Sequence, residues 1–289
     1  MKIGFIGLGN LGTPIAENLL EANESLLIYN RTTSKAEALI SKGGRVAKSV
    51  QEVAQQSDIV FSIVSDDMAL KDVTLGTNGI IANLKKGGIH ISLSTILPST
   101  SEELHALHKE KGSEYLACPV MGRPEVARAK KIQFLISGDN SSIQKIKPLL
   151  EKAGGSGVWE FGENPGAANT AKLCSNYLVI AAMEAIAESV NLANQSKIDT
   201  ELWMKMLTQT YFAAPVYINY SNIIMKEAFH PAAFSLKLGL KDINLVLQQA
   251  HRTNSNMPVG MQLQSLLQES ADDGLAEHDI TAVALTIRK

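Results

Sequence analysis

Cysteine, aromatic side chains and an excess of either charge are all scarce in this chain, and each scarcity removes a class of function. The two cysteines, Cys118 and Cys174, stand far apart with no Cys-x-x-Cys or Cys/His spacing. Free, buried thiols in a reducing compartment are therefore expected, not a disulfide framework or a zinc site. The 27 lysines and arginines nearly balance 29 aspartates and glutamates, for a formal net charge of -2. Basic residues run no longer than pairs such as Lys130-Lys131, so neither nucleic acid nor a membrane surface is expected as a partner. The longest apolar run, "YLVIAAM" at 177–183, falls far short of the roughly 20 residues of a membrane span. The chain enters "MKIGFIG" with no apolar leader and cleavage site, so a cytoplasmic location is expected. Among six histidines only His105 and His108 are close in sequence. They fall on an apparent surface helix, and no metal is expected.

What the chain does have is length and apolar content: 289 residues, 45% hydrophobic, enough for two packed domains. Apolar, β-rich runs at 2–6, 26–29, 59–64, 89–93, 114–117 and 134–137 alternate with amphipathic segments such as "TPIAENLLEAN" and "STSEELHALHKEKG". Strand and helix in this alternation predict an α/β fold with a doubly wound, mostly parallel sheet. Past the glycine-rich stretch at 154–166, helical periodicity takes over at 167–195, 200–210, 236–251 and 258–271. The expected domains are 1–162 and an all-helical 163–289.

The turn Gly7-Leu8-Gly9-Asn10-Leu11-Gly12 has GxGxxG spacing, follows an apolar strand and opens a helix with Pro14 in its first turn. In that setting the glycines allow a tight turn and close backbone approach, and a pyrophosphate can rest on the helix N-terminus. At the end of the second strand, where an NAD site places a carboxylate, the sequence reads Asn30-Arg31-Thr32. Arg31 suits a 2′-phosphate and adenine stacking, with Asn30 and Thr32 as further donors, so NADP(H) is favoured. Val64 and Ser65, and Ser94 and Thr95 of "HISLSTILPST", stand at the carboxyl ends of later strands, where open α/β sheets bind ligands. For Ser94 and Thr95 two readings stay open, a bond to the nicotinamide ribose or a helix cap.

Asn169, Lys172 and Asn176 are spaced three and four apart, a narrow polar stripe on an otherwise apolar helix. Such a stripe suits the wall of a cleft. Burial among apolar neighbours disfavours an ammonium, which prepares a lysine to exchange a proton; the competing reading is a lysine snorkelling at a helix start.

At these residues the sequence resembles the β-hydroxyacid dehydrogenase family over essentially its whole length, through "GFIGLGNLGTPIAENLL", "YNRT", "STILPST", "ACPVMG", "GAANTAKLCSNY" and "LKLGLKDINLVLQQA". The resemblance implies an N-terminal Rossmann domain joined by a long helix to an all-α domain, with the active site between domains and a homodimer or homotetramer built on the helical part. It implies Lys172 as general acid/base, Asn176 orienting a small-molecule substrate, Thr95 on the cofactor and Lys241 near the nicotinamide. One loop departs from the family pattern Asp-Ala-Pro-Val-Ser-Gly-Gly. Here Met121 replaces the serine and Arg123 the second glycine, around Gly122, and Ser175 stands where many members have a second asparagine. Met121, Gly122 and Arg123 are the expected substrate loop, less polar at Met121. Arg123 is left between a carboxylate clamp and a solvent-facing side chain. Tyr211, Phe212 and Tyr217 either line the cleft or pack between helices. The expected function is NADPH-dependent reduction of a small carbonyl compound. An imine reductase of the same architecture and a non-catalytic nucleotide-binding scaffold are the rivals.

Overall fold

The computed structural model describes residues 1–22 and 24–289 and divides into two compact units, Met1–Lys172 and Leu173–Lys289. The division falls inside the longest helix, after the glycine-rich stretch at 154–166. Asn23, the last residue of the amphipathic segment "TPIAENLLEAN", lies outside the described residues.

The first unit runs β1 (Ile3–Ile6), α1 (Gly12–Glu21), β2 (Leu26–Tyr29), α2 (Thr33–Glu37), β3 (Arg45–Val46), α3 (Val50–Gln56), β4 (Ile59–Ser62), α4 (Asp67–Thr74), α5 (Ile80–Asn83), β5 (Ile89–Ser92), α6 (Pro98–Lys111) and β6 (Glu114–Ala117). These strands form one parallel sheet in the order β3-β2-β1-β4-β5-β6. β1, β4 and β5 are buried along their whole length because helices cover both faces, so they read as continuous apolar runs instead of alternating ones. The strand order reverses between β1 and β4, which opens a crevice at their carboxyl ends.

β7 (Val120–Met121), α7 (Pro124–Arg128), β8 (Ile132–Ile136), α8 (Asn140–Lys152) and β9 (Gly155–Glu160) complete the unit. A second sheet has the order β7-β8-β9, antiparallel then parallel. β9 lies within the glycine-rich stretch at 154–166. Its glycines are strand residues: a Cβ on Gly157 would lie 2.2 Å from Gln133 Oε1, the acceptor of the Trp159 indole N–H at 2.8 Å.

His108 corrects one expectation. Its helix is not a plain surface helix, for His108 is fully buried with His90 and Tyr115. His90 Nδ1 lies 3.1 Å from His108 Nε2, Ser62 Oγ lies 2.8 Å from His90 Nε2, and His108 Nδ1 lies 2.8 Å from Ser113 Oγ. Because the Ser113 hydroxyl donates to the His108 carbonyl, it accepts from His108 Nδ1–H. His90 then donates to His108 and accepts from Ser62, so both rings are neutral. Burial drives both pKa values down, that of His108 to about 3.

The long helix α9 (Ala167–Gln195) is followed in the second unit by α10 (Thr200–Gln209), α11 (Pro215–Met225), α12 (Leu236–Arg252), α13 (Pro258–Ser270) and α14 (Val283–Ile287). α9 has the length and hydropathy of a membrane span, but Ile180, Met183, Ile186, Ala187, Val190 and Ala193 are buried within the fold. α12 and α13 pack side by side, and Gly239 of α12 admits Ile280, which a Cβ would meet at 2.1 Å. Cys118 is buried, with burial pushing its thiol pKa up. Cys174 is exposed, against the expectation of two buried thiols. Two residues beyond Lys172 on α9, it points away from the Lys172 face.

Glu184, also on α9, has its carboxyl pKa raised to about 7, first by burial and then by its hydrogen bond to and repulsion from Glu188. Between the ordinary glutamate value of 4.5 and about 7 the folded state holds the extra proton, so stability falls as pH rises through that window. Chemical denaturation of Glu184→Gln should show a gain over the parent at pH 8 that vanishes at pH 5; equal gains at both would refute the linkage.

Candidate active site

The glycine turn is built for an anion. Gly7 has φ +101°, a left-handed conformation, and a Cβ there would sit 2.0 Å from the Ile63 carbonyl oxygen; on Gly12 it would sit 2.2 Å from the Gly7 oxygen. A Cβ on Gly9 would meet nothing within 4 Å, so the turn is closed on the sheet side and open above Gly9. α1 begins with no acidic residue in its first turn and no side-chain cap, so its positive end is not neutralised locally. Leu8 N–H donates to Asn30 Oδ1 at 2.8 Å, and Asn30 Nδ2 donates to the Thr32 carbonyl at 2.9 Å. Asn30 therefore ties the end of β2 to the glycine turn, a positioning role beyond the donor role read from the sequence. Arg31 and Thr32 are exposed beside it. A dinucleotide fits these groups, with its pyrophosphate on Gly7–Gly12 and the adenine ribose at Asn30, Arg31 and Thr32.

At the neighbouring strand ends, Ser94 Oγ accepts from Val64 N–H at 2.9 Å and so joins the β4 and β5 loops. The start of α6 is held by Asp67, whose Oδ1 accepts from Leu97 N–H at 3.0 Å and from Thr100 Oγ1 at 2.6 Å. Ser65 Oγ donates to Asp66 at 2.7 Å, and Asp66 caps α4 through Ala69 N–H. Val64, Ser65 and Ser94 thus belong to one braced rim at the crevice, and Thr95 follows Ser94 directly in the chain. Neither Asp66 nor Asp67 was singled out in the sequence, although Ser-Asp-Asp after a strand has the composition of an N-cap.

Lys172 is 8% exposed, and its Nζ lies 3.5 Å from the Met121 thioether. Met121 and Ala171 rest against a cluster of Tyr115, Ala117, Leu135 and Ala168. Asn169, one turn earlier on α9, is buried and accepts from Ser101 Oγ at 2.7 Å, which contacts the Tyr115 hydroxyl at 3.1 Å. The sheet and α6 therefore fix the turn that carries Lys172. Gly122, at φ +149°, turns the loop, and the Arg123 side chain is turned in from solvent, 19% exposed, with Nε 3.2 Å from Glu125 Oε1.

In the second unit Asn176 Nδ2 donates to Asp242 Oδ2 at 2.5 Å. Asp242 is 2% exposed, and Lys241 Nζ lies 3.0 Å from its Oδ1. Asp242, which anchors Asn176, was passed over in the sequence reading, although it follows Lys241 directly in "LKDINL". Phe212, between α10 and α11, packs on Tyr217 of α11 at 4.6 Å between ring centroids, while Tyr211 is 89% exposed.

Residues 2–162 match the family model of the NAD binding domain of 6-phosphogluconate dehydrogenase. Residues 166–287 match that described as NAD-binding of NADP-dependent 3-hydroxyisobutyrate dehydrogenase. The chain is 37% identical to uncharacterized oxidoreductase YfjR of Bacillus subtilis, covering 100% of both chains. It is 30% identical to 2-hydroxy-3-oxopropionate reductase of Escherichia coli, covering 98% of this chain and 96% of that one. The structure of Mycobacterium tuberculosis 3-hydroxyisobutyrate dehydrogenase with L-serine superposes with a TM-score of 0.87 at 26% identity, covering 100% of this chain and 99% of that one.

Proposed function

Because the chain belongs to the β-hydroxyacid dehydrogenase family and is an oxidoreductase acting on CH–OH, we propose that it is an NADPH-dependent reductase of small carbonyl acids with Lys172 as its general acid/base. The single observation that carries this reading is the buried amine of Lys172 on a helix turn that Asn169 fixes to Ser101 of α6. Held through its pyrophosphate at the glycine turn, the reduced cofactor would supply hydride to the carbonyl carbon. Lys172 Nζ gives its proton to the carbonyl oxygen as negative charge develops there, and takes it from the hydroxyl in the reverse direction. Asn176, its amide held by Asp242, orients the substrate, and Lys241 steadies the same carboxylate. Met121, Gly122 and Arg123 form the substrate loop, and Thr95, Val64 and Ser65 line the cofactor side.

A panel of 2-hydroxy-3-oxopropionate, glyoxylate, succinic semialdehyde and cyclic imines, followed by NADPH absorbance, tests the proposal. Turnover of the aldehydes supports it; turnover of imines alone would replace it with imine reduction, and none would leave a nucleotide-binding scaffold. Cytoplasmic location and a homodimer or homotetramer belong to the same proposal.

The NADPH preference has its own test. Arg31→Ala removes a guanidinium suited to the 2′-phosphate, and charge-assisted bonds of this kind contribute about 1.5–3 kcal/mol. Fluorescence titration should show NADPH binding weakened at least about tenfold, with NADH binding little changed. Equal losses for both cofactors would count against NADPH selectivity.

A further inference from the structure

The first turn of α9 has little apolar surface with which to fix its own rotation. It offers Ala168 and Ala171 to a cluster that includes Leu70, Ile96 and Leu104. Methyl groups interdigitate weakly, so they set the distance of a helix from its neighbours better than its rotation. Yet rotation is what proton transfer depends on. A lysine amine about 6 Å from the helix axis moves by about 2 Å when the helix turns by about 20°. A misplacement of about 1 Å at a reacting group can cost on the order of 10²-fold in rate.

Polar contacts to α6 supply the register. Ser101 Oγ, fully buried, donates to Asn169 Oδ1 at 2.7 Å, and with its one proton so used it accepts from the Tyr115 hydroxyl at 3.1 Å. Three residues earlier in both stretches, Gly166 lies against Pro98: a Cβ there would meet Pro98 Cβ at 2.9 Å and the Pro98 carbonyl oxygen at 3.0 Å. Ser137 Oγ, just past β8, accepts from Ala168 N–H at 3.0 Å and donates to the Pro165 carbonyl at 3.1 Å. The same α6 turn is tied at its start to the crevice, because Asp67 Oδ1 accepts from Leu97 N–H and Thr100 Oγ1. Residues 97–101 therefore join the loop after β4, at the crevice where a dinucleotide fits, to the turn that bears Lys172.

We propose that the first turn of α6 is a strut that registers the Lys172 amine against the cofactor crevice, with Ser101 as a positioning residue for proton transfer. This inference rests on the reading of Lys172 as general acid/base. Being fully buried, Ser101 acts through Asn169 and not on the substrate.

Ser101→Ala removes the donor and little volume. In the protein without cofactor, hydrogen exchange of the amides at 167–173 should accelerate by about tenfold, while those of β1 and α1 keep the parental rate. With NADPH and whichever aldehyde of the panel is reduced fastest, kcat should fall by about 10–100-fold, and KM and the NADPH dissociation constant should change by less than about threefold. Ser101→Thr keeps the hydroxyl and should restore kcat to within about threefold of the parent. Asn169→Ala breaks the same bond from α9 and should match Ser101→Ala in both readouts, which keeps the test open if Ser101→Ala folds poorly. The decisive comparison is made in Lys172→Ala. A residue that works only through the Lys172 amine then has nothing to position, so adding Ser101→Ala should leave the residual kcat unchanged within about twofold. Parental kcat or parental exchange in Ser101→Ala, or equal losses with and without Lys172, would overturn the strut and leave the Lys172 mechanism standing. Near-parental turnover of Lys172→Ala alone would overturn the general acid/base reading and the positioning role with it.

Discussion

Lys172→Ala is expected to lower kcat for carbonyl reduction by roughly four orders of magnitude while NADPH binds within about twofold of the parent. General acid catalysis by a placed side chain contributes about 10²–10⁴-fold. Loss of the positive group beside the developing alkoxide removes electrostatic stabilisation on top of that. Cofactor binding should survive because its anchors lie elsewhere: the Gly7–Gly12 turn, the Asn30–Leu8 bond and the Ser94–Val64 bond all belong to the sheet's carboxyl edge. Folding should survive as well, since alanine suits the apolar surroundings formed by Met121, Ala168 and Ala171. Lys172→Arg separates charge from proton transfer. Guanidinium keeps the positive charge but does not give up its proton near neutral pH, so this variant should recover little activity. Stopped-flow reduction assays with parallel NADPH titrations check both. A Lys172→Ala protein with near-parental turnover would remove the proposed mechanism.

What the sequence disclosed follows the range of the interaction that fixes each feature. The glycine turn, the parallel strands and α9 were legible because each is written in local spacing: Gly7, Gly9 and Gly12, the buried runs of β1, β4 and β5, and the 3.6-residue repeat after Ala167. β3 and β7, two residues each, are too short to display a period. β9 was hidden because its glycines look like a linker and become strand residues only through pairing with β8. The site divides in the same way. Lys172 and Asn176 were visible as a stripe, whereas Asn30 bracing Leu8, Ser94 bracing Val64 and Asp242 holding Asn176 join residues 22, 30 and 66 positions apart. No helical or strand periodicity spans such separations. His108 and Cys174 were misplaced for a related reason: exposure on a helix depends on what packs against each face. α6 presents His108 to a pocket made by β5 and β6, and α9 leaves Cys174 at the surface.

The buried histidine pair makes an acid-stability prediction of comparable size. An unfolded chain takes up a proton at His108 near the ordinary histidine value of 6.5, but the folded protein keeps that ring neutral down to about 3. Between those values the unfolded state binds more protons, so stability falls as pH falls. The loss is about 1.4 kcal/mol per pH unit for one proton, or roughly 3–6 kcal/mol across the window. His90 is shifted the same way by burial and by the neighbouring ring, so protonating either histidine breaks the chain Ser62–His90–His108–Ser113 from within. Urea denaturation at half-unit steps from pH 7.5 to 4 should show the decline beginning near the ordinary histidine pKa, above the range in which carboxylates titrate. His108→Gln retains a hydrogen-bonding group opposite His90 but no titrating ring. It should be less stable at pH 7, where the bond to Ser113 is lost, yet its stability should fall less steeply with acid, by close to one proton. Identical slopes for the two proteins would mean that His108 titrates normally in the folded state and that the neutral pair is not what limits the fold in acid.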